Sequence, residues 1–93
     1  MHAQITLPSG NESGEASQTF VSDRLQAWGY GPPAIEIVQL LVSELLTSLF
    51  RWAGGPAAVR LDTDATGIRV TIADSGPGPE PERRALPLSL IHI

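Results

Sequence analysis

Ninety-three residues, 42% of them hydrophobic and 17% charged, allow one small domain with an adequate rather than generous core. Net charge is −4 and all six basic residues are arginine. The absence of lysine excludes a Walker-type phosphate loop, Schiff-base chemistry and the lysine-based serine hydrolases, and the acidic balance argues against nucleic acid as a partner.

Without cysteine there is no disulfide and no thiolate metal site, which fits a reducing compartment. The start, "MHAQITLPSGN", has neither a basic region nor an apolar signal core, and no stretch approaches the roughly 20 uninterrupted apolar residues of a membrane span. A cytoplasmic protein without membrane contact is expected.

"HAQITL", His2 to Leu7, alternates as a short strand does, and Pro8 to Gly14 is a turn-rich connector. Ala16, Phe20, Val21, Leu25 and Trp28 recur at helical spacing, which predicts a helix over Glu15 to Tyr30 ended by Gly29-Tyr30-Gly31. Ser9, Ser13 and Ser17 read as connector and capping residues. A second helix runs from Pro33 to about Ala53, with Glu36 near its positive end. It is apolar over most of its circumference and is expected to be covered on several sides.

"PAAVRLDTD" and "GIRVTIAD" alternate around the polar "DTDATG". They predict an antiparallel hairpin with Val59, Leu61, Ile68, Val70 and Ile72 on the core face and Arg60, Asp62, Arg69 and Thr71 on the other. The order strand, helix, helix, strand, strand, loop implies an α+β fold, a two-layer sandwich with helices on one face of a mainly antiparallel sheet.

Two places carry candidate chemistry. "SELLTSLFRW" sets Glu44 among leucines, where an unpaired buried carboxylate costs several kcal/mol. Glu44 and Ser48, four residues apart, share a helix face about 6 Å apart in rise and can reach one ligand. Spacing alone favours the plainer reading, in which Glu44 pairs with an arginine on a neighbouring element or reaches water from the edge of the apolar arc. "ADSGPGPE" ends a strand with Asp74 and follows it with Gly76 and Gly78, so backbone can approach a planar or phosphorylated ligand closely. Taken alone, these residues read rather as a strand terminator and turn. "DTDATG" matches a calcium loop only loosely, because the twelfth position is Ala73, and reads as a hairpin turn. His2 and His92 have no partners at metal spacing and read as solvated.

In order, "LVSELLTSLFRWAGGPAAVRLDTDATGIRVTIADSGPGP" resembles the histidine-kinase-like ATPases, the Bergerat fold. The small bacterial anti-sigma-factor serine kinases are the most similar subgroup, and "ITLP", "FVSDRLQAWGY" and the proline-led helix agree with it. The resemblance spans about Ile5 to Pro79 and implies an N-box, E-L-x-T-N-A-x-x-H, on the second helix. Glu44 then falls on the glutamate that activates the attacking hydroxyl or water, and Ser48 on the magnesium-holding asparagine. Asp74, Gly76 and Gly78 fall on the D-x-G-x-G box, where Asp74 reads the adenine amino group. ATP and magnesium are the implied cofactors, the metal site being weakened by serine at 48. Leu49 and Trp52 are bulkier than the family pattern.

The boundaries expected are a partial ATPase domain over residues 1–82 and a non-family tail over 83–93, because "ALPLSLIHI" does not resemble the family's lid and second glycine motif. An incomplete fragment, inactive alone, is the corresponding expectation. The implied function is ATP-binding regulation, with phosphotransfer to a serine of an antagonist protein in intact relatives. A noncatalytic module that binds a sigma factor or antagonist, or pairs as a homodimer, is the alternative.

Overall fold

The first strand, β1 (His2–Leu7), sends Ala3, Ile5 and Leu7 inward and leaves His2, Gln4 and Thr6 exposed, the period of two that its sequence carries. The computed structural model describes residues 1–10, 12–53, 55–74 and 89–91. In chain order, α1 (Glu12–Ala27), α2 (Pro32–Ala53), β2 (Ala57–Asp64), β3 (Gly67–Asp74) and β4 (Ser89–Ile91) follow. The sheet has the order β1-β2-β3-β4 and every pair is antiparallel. Both helices pack on one face, so the α+β sandwich expected from the element order is the observed fold.

The β2–β3 hairpin lies where expected. Val59, Leu61, Ile68, Val70 and Ile72 are wholly buried under the helices, and Arg60 and Arg69 are exposed on the bare face. Its two-residue turn is held by Asp64, whose Oδ1 accepts from the Thr66 backbone N–H at 2.7 Å and from the Thr66 hydroxyl at 2.6 Å. Gly67 closes the turn at φ +144°, a conformation open to glycine and unfavourable to other residues.

On the bare face Arg60 grips Asp62 through Nε and Nη2, at 2.9 and 3.0 Å. That hydrogen bond holds the Asp62 carboxyl below its ordinary range. A carboxylate with a folded pKa below its unfolded one contributes stability that is present above the unfolded value and lost as pH falls through the folded one. Wild type should therefore lose more stability than Asp62→Asn when pH drops from neutrality to below about 4. Denaturant midpoints of the two proteins at each pH check this. The pair is largely exposed, so the difference is small.

Helix α1 begins three residues before the expected Glu15, and its buried stripe is Ser13, Ser17, Phe20, Val21 and Leu25. Ala16 is exposed. Ser13 and Ser17 are not caps: they lie on the inner face, where small side chains let the helix sit close, and their hydroxyls donate back to the carbonyls of Pro8 and Gly14. The helix ends as the glycine signal requires. Gly29 at φ +92° lets its N–H reach the Gln26 carbonyl and the Tyr30 N–H reach the Leu25 carbonyl, at 3.0 and 2.9 Å.

Helix α2 departs from expectation. It starts at Pro32, which leaves Glu36 beyond the first turn and away from the strongest part of the dipole. Its core stripe is Ala34, Ile35, Val38, Val42, Leu46 and Leu49, and the helix is covered on one side rather than several. Ile37 is 51% exposed and Leu40 63%. Over Pro32–Arg51 the helix has the length and mean hydropathy of a membrane span. Its apolar side chains are divided between the stripe that seals the sheet and this outward group.

Candidate functional site

The exposed side of α2 carries the candidate chemistry. Residues 44, 47, 48 and 51 stand at i, i+3, i+4 and i+7, one stripe about 10 Å long, because 3.6 residues per turn brings those positions into line. Glu44, Thr47, Ser48 and Arg51 are all exposed. Together with Ser43 they line a cavity of about 260 Å³ that opens to solvent. Ser43 and Thr47 also line an adjoining cavity of about 440 Å³, whose other walls are Gly10, Gly14, Leu46 and Phe50. The larger lies within the roughly 300–1,000 Å³ of small-molecule sites and the smaller just below it.

This geometry resolves the question that Glu44 raises. The leucines around it point elsewhere: Leu46 and Leu49 into the core, Leu45 to its margin. The carboxylate faces water and a cavity, so no buried charge has to be offset. Among the described residues Glu44, Ser48 and Arg51 make no hydrogen bond or ion pair. The Thr47 hydroxyl donates to the Ser43 carbonyl at 2.9 Å, an internal helix bond that keeps Thr47 turned along the helix.

Asp74 is placed by the sheet. It ends β3 opposite Ala57, a wholly buried residue, so it sits on the helix-covered face. Ala57 also pairs with Leu7, and it follows the end of α2 by four residues. The last turns of α2, the exit of β1 and Asp74 thus gather at one end of the sandwich. Asp74 is half-buried and lines neither of the two cavities. The structure therefore brings Glu44 and Ser48 together on one cavity, which Asp74 does not line. Gly76 and Gly78, and the boundary at residue 82, lie outside the described residues.

Arg51 escaped the sequence reading, although its spacing of seven from Glu44 and three from Ser48 is a legible stripe. Gly10 and Gly14, walls of the larger cavity, had as their signal only the glycine-rich connector before α1.

The donor set suits a nucleotide. Three hydroxyls, a carboxylate and a guanidinium surround an open cavity, the mixture that a polyphosphate and its reacting end require. For magnesium it offers the Glu44 carboxylate and little else. That ion takes oxygen ligands, chiefly carboxylates and substrate phosphates, in strict octahedral geometry. Ser48 supplies one neutral hydroxyl, and among the described residues no three acidic or histidine side chains gather as a metal site.

Helices over one face of an antiparallel sheet, with acid and hydroxyl groups turned outward from the second helix, define the class as an α+β sandwich. The family model for the histidine kinase-like ATPase domain matches residues 7–90, and the chain belongs to that family of ATP-binding domains. The match reaches into β4, whose Ser89–Ile91 pairs with β3. No curated protein matches the chain.

Proposed function

We propose that the chain is an ATP-binding regulatory domain of the anti-sigma-factor serine kinase type. The observation that carries this reading is the stripe on α2, where Glu44 and Ser48 open on one cavity within a chain of this family. Asp74 accepts a hydrogen bond from the adenine amino group. Glu44 takes the proton from the attacking serine hydroxyl as that oxygen bonds to the γ-phosphorus and the bond to the β–γ bridging oxygen breaks. The partner is a sigma factor or its antagonist.

A second reading is favoured by the outward Ile37 and Leu40 on α2: a noncatalytic module that holds a protein partner and has lost nucleotide chemistry. Titration calorimetry with ATP and magnesium separates the two. Micromolar binding, lost in Asp74→Ala, supports the first. Absence of binding, together with a stable complex with a sigma-factor-like protein, replaces it by the second.

A further inference from the structure

Strand β1 is the outer strand of the sheet. It pairs with β2 on one side, and among the described residues no strand lies on the other. Its hydrogen-bond phase is set at Met1, whose nitrogen donates to the Thr63 carbonyl at 2.9 Å and whose carbonyl accepts from the Thr63 N–H at 2.8 Å. An antiparallel ladder alternates such doubly bonded pairs with pairs whose backbone groups face away. Ala3, Ile5 and Leu7 therefore bond to β2, opposite Leu61, Val59 and Ala57. The N–H and C=O groups of His2, Gln4 and Thr6 point out of the sheet.

The usual protections of an edge are missing here. "HAQITL" holds no lysine, acid or proline, and its register with β2 runs without a bulge. Helix α1 packs above β1, yet Ala3 and Ile5 stay half-buried, so the outer flank of the strand is open. Three outward donor–acceptor sets in a row are a template for another strand.

The strand that fits is β1 itself. Placed antiparallel on a two-fold axis at Gln4, it sets Gln4 opposite Gln4 of the second copy, His2 opposite Thr6 and Ala3 opposite Ile5. All outward backbone groups of both strands are then bonded at once, whereas a slide of two residues leaves a set unpaired. No like charges meet, and the half-buried Ala3 and Ile5 cover each other. The same alignment brings Leu7 opposite Met1, which at 65% is the most exposed large hydrophobic side chain among the described residues.

We propose that two copies of this chain join through β1, antiparallel and centred on Gln4, so that one sheet runs through both. The pairing does not depend on nucleotide.

Light scattering and cysteine cross-linking test it. Wild type and Gln4→Ala should both have the mass of two chains, because the alanine keeps the backbone bonds. Gln4→Pro removes an N–H that β2 does not use, so the fold stands while the dimer dissociation constant rises about tenfold or more. The chain has no cysteine of its own. Gln4→Cys should form a disulfide-linked dimer under mild oxidation, since doubly bonded partners lie about 5.5 Å apart between Cα atoms, within disulfide reach. Thr6→Cys alone should not, because its two copies lie about 14 Å apart, but mixed with His2→Cys it should. If the proline variant fails to fold, this cross-linking pattern decides alone. A wild type with the mass of one chain, a dimer that survives Gln4→Pro, or Thr6→Cys linking to itself as readily as Gln4→Cys overturns the inference.

Discussion

Glu44→Gln should lower ATP turnover by about 10²–10⁴-fold, the usual worth of a positioned general base, while ATP affinity stays within about threefold. On the proposed kinase reading, ADP formation in the presence of a candidate antagonist protein gives the rate, and calorimetry gives the affinity. The substitution keeps the shape of the side chain and removes only its capacity to accept a proton. Glu44 is exposed and makes no contact that folding depends on, so a loss of rate reports chemistry rather than damage. Equal loss of rate and affinity would instead make Glu44 a binding residue, since a group used only in the transition state changes turnover alone. Unchanged turnover ends the catalytic assignment.

The reason for expecting so specific an effect is the direction in which α2 faces. Its apolar stripe at 35, 38, 42, 46 and 49 fixes the rotation of the helix on the sheet. Position 44 is then held on the outer side with 48 and 51, and no local contact of Glu44 is needed to aim it. The same rotation exposes Leu40 and Ile37, about one and two turns before Glu44. Apolar side chains there contribute nothing to sealing the sheet.

What the sequence made legible follows from period. The alternation in residues 57–64 and 67–74 has one solution, because slipping by a single residue would expose Val59, Leu61, Val70 and Ile72 together. The hairpin and its core face were accordingly readable to the residue. On α2 the same method overreached. Ten large apolar residues in one helix suggest burial all round, and only tertiary packing decides which of them meet the sheet; Ile37 and Leu40 do not. On α1 the error was of the opposite kind, since Ser13 and Ser17 are buried polar positions that no hydrophobic pattern marks. Strand β4 is three residues long, too short for any period to show, and its pairing with Ile68–Val70 depends on a contact some twenty residues distant in sequence. At the site, Glu44, Ser48 and Asp74 came from matching an ordered motif. Arg51 needed the cavity.

Leu61→Ala should cost about 2–5 kcal/mol of folding stability, the range for removing a wholly buried leucine and leaving a void. Leu61 lies in the centre of the fold, paired with Ala3 of β1 on one side and Val70 of β3 on the other, with its side chain on the helix-covered face. Its neighbours across the ladder are themselves fixed by pairing, so the gap closes little, and the cost should fall in the upper half of the range. A domain of this size has about 5–15 kcal/mol in all. The melting temperature should accordingly drop by roughly 14–40 °C, at about 4–8 °C per kcal/mol. Gln4→Ala supplies the control: Gln4 is exposed on β1 next to the same strand, and its loss should stay within about 0.5 kcal/mol. Equal melting temperatures for the two variants would mean that the β2 face does not carry the core. The rotation of α2 that aims Glu44 would then lose its support, because the stripe that sets it packs on this same surface.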